Sequence, residues 1–349
     1  SIETRKILKS RWGEAVRVVT IGPAGENGAV MANYLADNDA SGSGQTAASL
    51  GAKRLKAIAV RGAGRKVKIA RPEELRALTD HLRRLKVAFP NYDWTQISRW
   101  SRDLVLQFRA IPPEQMKREP CYGCLGRCAR QSYQASDGTS GKFLCHSAFF
   151  YQPYAERYYK EWNDVPFHAT KLCDHYGLDT KAVDKTIGWL DACYQSGILT
   201  EAETGLPLSK IGSLEFIETL ARKMALREGY GDVLAEGLET AKKKAPPAAG
   251  KIKYGMLGDP AFFDPYGPRY LIMNAFPYAM EPTFPIGQLH EASMIISRWR
   301  TGTLGLSYIT TDVLREIAKR FWGSEAAADF TSFEGKALAA RMMQDREYA

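Results

Sequence analysis

No uninterrupted apolar run in this sequence approaches the roughly 20 residues that a membrane helix needs, so the chain is expected to have no membrane span. No secretory signal is recognisable. The basic clusters Lys53-Arg54-Lys56, Arg83-Arg84-Lys86 and Lys242-Lys243-Lys244 carry no RNA-binding signature and no repeated aromatic-basic motif. Nucleic acid is therefore the weaker partner for a net charge of +9, and an acidic protein or a phosphorylated cofactor suits it better. Six cysteines without a secretory context point to a reduced, cytoplasmic compartment, where thiols hold metals rather than form bridges. What is present is a chain of 349 residues, 45% hydrophobic and 25% charged, long enough for two or three domains with buried cores.

Half of the cysteines crowd into Cys121-Tyr122-Gly123-Cys124-Leu125-Gly126-Arg127-Cys128, a C-x2-C-x3-C run. Three thiols this close converge on one inorganic centre if the backbone curls around it, and Gly123 and Gly126 permit the curl. An iron–sulfur ligand loop is one reading. A structural zinc site is the other, with Cys145 and His146 as its candidates for a fourth ligand.

Upstream, Val16 to Ile21 is a β-branched run that stops at Gly22-Pro23-Ala24-Gly25, and Val30, Met31, Tyr34 and Leu35 then suggest an amphipathic helix. A strand, a glycine turn and a helix in that order aim free N–H groups at the mouth of the turn, where Glu26 and Asn27 add side-chain hydrogen bonds. Many such turns bind nothing, and this one is neither a G-x-G-x-x-G fingerprint nor a Walker loop. A second small-residue stretch, Ala40 to Ala52, contains Ser43 and Gly44 and runs through Lys53-Arg54-Leu55-Lys56 into a strand at Ala57-Ile58-Ala59-Val60. Leu75, Leu78, Leu82 and Leu85 predict a helix over Pro72 to Leu85, and Ile97 to Phe108 predicts another. Val183 to Lys244 reads as helical, with a glycine stop near Gly229, and Lys242 to Gly250 reads as a basic linker. Asp312 to Phe321 and Ser332 to Met343 complete a helical scaffold.

Ile21-Gly22-Pro23-Ala24-Gly25-Glu26-Asn27 and Leu50-Gly51-Ala52-Lys53-Arg54-Leu55-Lys56-Ala57-Ile58-Ala59-Val60 resemble the pterin-binding half of the aldehyde ferredoxin oxidoreductase family. The cysteine run is similar to that family's [4Fe–4S] ligands, and Cys173-Asp174-His175-Tyr176-Gly177-Leu178-Asp179-Thr180 is similar to its D-x-x-G-L-D-T pterin contact. The three motifs keep the family's order over nearly the whole chain. The resemblance implies an α+β protein: residues 1–66 as the C-terminal part of a β-containing, pterin-binding domain, 67–200 as a helical domain with the cysteine loop and first pterin motif, and 201–349 as a helical domain completing the site. It also implies a tungsten or molybdenum bis-molybdopterin cofactor, with magnesium bridging the pterin phosphates, a [4Fe–4S] cluster held by Cys121, Cys124 and Cys128, and pterin contacts from Gly22, Ala24, Gly25, Glu26, Asn27, Ser43, Gly44, Asp174, Leu178 and Asp179.

The implied activity is oxidation of a small aldehyde to a carboxylic acid, with electrons passed through the cluster to ferredoxin. Cys173 opens a second branch, in which an acyl-CoA is reduced with the help of partner iron–sulfur subunits. In the benzoyl-CoA-reducing members a cysteine thiolate ligates tungsten, although Cys173 also reads as a small buried residue. Asp174, Gly177 and Asp179 equally describe a plain helix end, with Gly177 at the stop and Asp179 capping the next helix. Glu156 sits where the family has an acidic segment near the metal. In an apolar pocket its pKa would rise to suit proton transfer, whereas a plain ion pair with Arg157 is the competing reading. Phe263 to Arg269 and Tyr278 to Glu291 resemble the family's downstream segments, where His290, expected on a loop rather than mid-helix, and Glu281 are candidates at the metal. The chain departs from the family pattern at Ser43 and Gln45-Thr46, and the family's fourth cluster cysteine is not among its residues. Ser1 begins without methionine and the C-terminal stretch carries no stop signal, so a fragment is expected. Homo-oligomerisation is compatible with all of this.

Overall fold

The computed structural model describes residues 1–42, 46–64, 68–87, 113–119, 131–143, 146–252, 267–268, 271–281, 286–303, 305 and 307–348. The fold is α+β, with two small antiparallel sheets among many helices in the described residues. The chain divides into two compact units, residues 1–67 with 109–262, and residues 68–108 with 263–349.

In the first unit, β1 (Arg17–Ile21) is the centre of a sheet ordered β3-β2-β1-β4, with β2 (Tyr34–Ala36), β3 (Ser41–Gly42) and β4 (Ala57–Val60). Val18 and Ile21 are buried, while β4, at the edge, leaves Ile58 and Val60 exposed. The register pairs Thr20 with Leu35 and Ile21 with Tyr34. Helix α1 (Ile2–Trp12) precedes this sheet, α2 (Pro23–Glu26) follows β1, and α3 (Thr46–Ala52) leads to β4. The amphipathic helix expected around Val30 to Leu35 is a correction: α2 stops after one turn and Gly28 turns the chain at φ +66. Strand β2 then takes Tyr34 and Leu35, because antiparallel pairing on β1 buries Leu35 completely.

Helix α4 (Pro72–Val87), in the second unit, lies where the leucine spacing predicts it. The segment 97–108 is outside the described residues. A second sheet in the first unit is ordered β5 (Met116–Arg118), β6 (Gln131–Gln134), β7 (Ser140–Lys142), and it pairs Arg118 with Gln131. Its two flanking strands therefore bring together the residues on either side of the cysteine run.

The rest of this unit is a helical core built from α5 (Gln152–Tyr159), α6 (Val165–Tyr176), α7 (Thr180–Gln195), α8 (Leu214–Leu226), α9 (Tyr230–Ala235) and α10 (Leu238–Lys244). Phe167, Ile187, Trp189, Leu190, Phe216 and Leu220 are all fully buried. Ser213 caps α8 by accepting Phe216 N–H at 3.1 Å. The 242–250 stretch is not a linker: it folds as the end of α10 and a further turn, and Ala249 and Lys242 are buried.

In the second unit α11 (Ile286–Gly302), α12 (Thr311–Phe321) and α13 (Lys336–Tyr348) close around Met273, Ile296, Leu314, Trp322 and Met343. Thr310 caps α12 through Val313 N–H. Among the described residues no helix is long and apolar enough to cross a membrane.

Candidate cofactor site

Helix α6 begins with Pro166 in its first turn and ends at Gly177, which adopts φ +76, ψ +47, a conformation easy only for glycine. The N–H groups of Gly177 and Leu178 both return to the Cys173 carbonyl, at 2.8 and 2.9 Å. Asp179 Oδ1 then accepts Lys181 N–H at 2.8 Å and Ala182 N–H at 3.1 Å and caps α7. The helix-end arrangement is therefore realised in full. The same Asp179 also lines a cavity of about 280 Å³, together with Met31, Ala32, Lys185, Thr186 and Leu238.

The glycine turn after β1 is pressed against this helix end. A Cβ on Gly22 would lie 2.3 Å from the Tyr176 carbonyl oxygen. Asn33 N–H donates to Gly177 O at 2.8 Å, Asp179 N–H donates to Met31 O at 2.9 Å, and Asn33 Nδ2 donates to Leu178 O at 3.1 Å. Two motifs about 150 residues apart in the chain are thus one construction. Within the turn, the Gly25 and Glu26 N–H groups fold back onto Gly22 O, at 3.0 and 3.2 Å. Ala24 is buried, and Gly25 lies against Ala47. Glu26 pairs with Lys56 at 2.5 Å, and Asn27 Nδ2 donates to the carbonyl of Ala225 near the end of α8. The polar groups that the sequence offers to a ligand here are thus largely spent on the protein itself. Ser43 and Gly44 lie outside the described residues.

Next to the turn is an ion network that the sequence reading missed. Lys171 Nζ bridges Asp174 Oδ2 at 2.8 Å and Asp39 Oδ2 at 3.0 Å, and Arg5 pairs with Asp39 Oδ1 at 2.5 Å. Asp39 adopts φ +54 and also accepts Lys142 N–H at 3.3 Å. Burial pushes the Asp39 carboxyl up, but the Lys171 charge and the Arg5 and Lys171 hydrogen bonds prevail and hold it far below the usual carboxylate range. At Asp174 burial wins, so its pKa is raised even beside Lys171. The i, i+3 spacing of Lys171 and Asp174 was a legible signal; their meeting with Asp39, which is 132 residues from Lys171, was not.

The other end of α6 carries a second polar knot. Tyr133 on β6 donates from its hydroxyl to Asp164, and Asp164 Oδ2 accepts Ser136 N–H at 2.8 Å. Burial and then the Asp164 bond raise the Tyr133 pKa. Burial pushes Asp164 up, but the bonds from Tyr133 and Ser136 bring it below its ordinary value. The Tyr133 ring is fully buried, with centroids 4.9 Å from Phe167 and 5.2 Å from Phe143.

Cys173 is fully buried on α6, where burial and then the charges of Asp174 and Asp179 push its thiol well above the ordinary range. Glu156 is not in an apolar pocket: it is exposed on α5 and accepts from Gln152 Nε2 at 2.7 Å, while Arg157 pairs with Asp191 at 2.7 Å. His290 sits inside α11 rather than on a loop, because the helix starts at Ile286 directly after the proline-rich segment; its side chain is outside the described residues. Glu281, in the second unit, accepts from Gln344 Nε2 at 2.6 Å and Tyr348 Oη at 2.9 Å. Cys121, Cys124, Cys128 and Cys145 lie outside the described residues, as does the His146 side chain, and among the described ones no group of His, Cys, Asp and Glu could hold a metal.

The turn can be tested against an N–H-rich heterocycle on a soft metal. Asn33 Oδ1 is buried and has no donor, and Asn33 itself is 5% exposed. Asn33 is bonded to Gly177 and Leu178, whose N–H groups return to the carbonyl of the fully buried Cys173, and Asp179 lines the cavity. An unpaired acceptor, a carboxylate and a soft sulfur donor fit such a group.

Comparison with known proteins adds two family matches. The model described as "Aldehyde ferredoxin oxidoreductase, N-terminal domain" matches residues 1–62, and "Aldehyde ferredoxin oxidoreductase, domains 2 & 3" matches residues 77–349. The tungsten-containing aldehyde ferredoxin oxidoreductases of Pyrococcus horikoshii and Pyrococcus furiosus are 29% and 30% identical, each over 67% of this chain and 43% of the relative. The chain thus spans less than half the length of these curated relatives. A chain of the active-site complex BamBC of benzoyl coenzyme A reductase, solved with 1,5-dienoyl-CoA, has a similar fold: TM-score 0.57 and 22% identity, over 71% of this chain and 43% of that one.

Proposed function

The chain belongs to the aldehyde ferredoxin oxidoreductase family, and on that premise we propose that it is part of a tungsten-pterin, iron–sulfur oxidoreductase that converts an aldehyde to a carboxylic acid. The observation that supports this reading is the backbone joining of the two pterin-type motifs, with Asn33 Oδ1 left without a donor between them and Cys173 buried at the helix end. The oxidation takes one oxygen from water and releases two electrons and two protons. A tungsten-pterin and an iron–sulfur cluster held by this chain would supply the two-electron redox chemistry and the one-electron path onward. In this chain Asn33 and Asp179 would hold N–H groups of the pterin, Asp174 stays with Lys171 and fixes the helix end, and Cys121, Cys124 and Cys128 would supply three of the cluster ligands. The net charge of +9 favours docking of an acidic ferredoxin. His290 on α11 is the candidate for holding a proton at the reacting oxygen.

A second reading has its own support. Cys173 is a buried thiol next to the turn, and the BamBC chain has a similar fold. In that reading the protein is the active-site subunit of an acyl-CoA reductase, and Cys173 ligates the tungsten. The test is elemental analysis with electron paramagnetic resonance on the native full-length protein, purified without oxygen and reduced by dithionite. About four irons and one tungsten per chain, with a reduced-cluster signal, are expected. A tungsten signature altered in Cys173→Ala selects the second reading and an unaltered one the first. Zinc without iron or tungsten overturns both and makes the cysteine run structural.

A further inference from the structure

Helix α6 has 12 residues, a length of about 18 Å, and is fastened by polar side chains at both ends. At its start Asp164 receives the Tyr133 hydroxyl and the Ser136 amide, both from the β6–β7 hairpin. Strand β6 pairs with β5 through Gln131 and Arg118, the strand residues nearest to the cysteine run on either side. Three buried rings, Tyr133, Phe143 and Phe167, fill the space between that sheet and α6. At its far end Lys171 and Asp174 are tied to Asp39, and through Asp39 to Arg5 on α1 and Lys142 on β7. Lys171 Nζ also lies 5.6 Å from the centroid of the Phe167 ring, so one lysine contacts both the aromatic packing and the ion network. The turn that meets Gly22 and carries Asp179 follows directly.

We propose that α6 is a strut with two polar locks, Tyr133–Asp164 at one end and Asp39–Lys171–Asp174 at the other, whose residues position strands β5 and β6, which bracket the cysteine run in the sequence, relative to the cofactor turn. This rests on the proposed function, since the spacing matters to electron transfer only if both centres are present. A buried ion pair contributes little net stability compared with an apolar pair of the same shape, but it holds a unique geometry because its partners tolerate no other arrangement. Tyr133, Asp164, Asp39 and Lys171 are therefore positioning residues. They act through the backbone: they set where β5 and β6 stand relative to the turn that carries Asp179.

The test has two arms on the full-length protein. In the first, nitroxide side chains are introduced as non-natural amino acids at 119 and 181, and their separation is read by pulsed electron paramagnetic resonance. Wild type gives a narrow distance distribution; Tyr133→Phe, Asp164→Asn and Lys171→Met each broaden or shift it, and Lys171→Arg restores most of it. In the second arm, on unlabelled protein reduced to carry both a cluster spin and a tungsten spin, the same variants change the spin–spin splitting while iron and tungsten per chain stay at wild-type levels. Distributions unchanged in Tyr133→Phe, the mildest variant, and in Lys171→Met overturn the strut. Changed distances with an unchanged splitting, whatever the thermal stability, reduce the locks to fold stabilisers and overturn the positioning role. Changed distances in a protein that never binds iron or tungsten leave the strut standing and remove the function it was proposed to serve.

Discussion

Each unit of this molecule encloses a lysine ammonium in polar partners, Lys171 half-buried and Lys336 buried, and the two are satisfied in opposite ways. Lys171 sits between two carboxylates, Asp39 and Asp174, at 3.0 and 2.8 Å. Lys336, fully buried, points its ammonium at backbone carbonyls instead: Ala326 O at 3.0 Å, Glu334 O at 3.3 Å, and Asp329 O. The first lysine is matched charge for charge, and the second is solvated by dipoles. Burial lowers the Lys336 pKa, and the nearby Asp329 and Glu334 charges offset this only in part. The difference teaches what each lysine is for. Carbonyls that converge on one point close a loop, whereas carboxylates from distant segments join elements of the fold.

Lys171→Met breaks the comparison hardest, because it strands two nearly buried carboxylates. A loss of about 3–5 kcal/mol is expected from removing one partner of a buried pair, measured by urea denaturation, with Lys171→Arg recovering a large part. Lys336→Met leaves only neutral carbonyls unpaired, so about 1–3 kcal/mol is expected. Equal losses would show that the carboxylates around Lys171 are better solvated than their burial implies. Titration separates the two lysines more sharply. Asp39 is depressed from 3.8, so its contribution is present in full above that value and is lost as pH falls through its folded value. Asp39→Asn should flatten this acid limb of the stability curve. Lys336 is depressed from 10.5, so the unfolded chain binds more protons between the two values and stability rises with pH there. Lys336→Met should remove that alkaline rise while leaving the acid limb intact.

Local signals in the sequence located β1, β4, α4 and the helices from α7 to α10, because strand alternation and helical leucine spacing are encoded within each element. The same local reading failed at Val30 to Leu35, where Tyr34 and Leu35 pair as a strand with Ile21 and Thr20 of β1, an override by partners 13 and 15 residues away. It found the turn Gly177-Leu178-Asp179 and its alternative as a helix end, since both are written in adjacent residues. It could not find that Gly22 must be glycine because Tyr176 O occupies the space of its Cβ, nor that Asp39 and Tyr133 anchor the two ends of α6. Those facts belong to residue pairs 31 to 154 positions apart, and nothing within either partner announces the other. His290 was misplaced for a related reason: prolines at 282 and 285 mark where a helix cannot continue, but they are also good places for one to begin just after.

The smallest effect is expected at Glu156, where the lysine comparison meets a carboxylate that is neither buried nor matched. It is exposed on α5 and takes one hydrogen bond, from Gln152 Nε2 at 2.7 Å. With solvent screening its charge and no ion pair to it among the described residues, Glu156→Gln exchanges one hydrogen-bonding surface group for another. A change within about 0.5 kcal/mol is expected, read as a denaturation midpoint shifted by little or nothing. If it has no part in the reaction, its removal leaves the pH profile of the reaction in place. A profile whose acid limb disappears in Glu156→Gln, with stability unchanged, would place this side chain at the reacting atoms of the full-length enzyme and would show that its surroundings there differ from the open helix face of this unit.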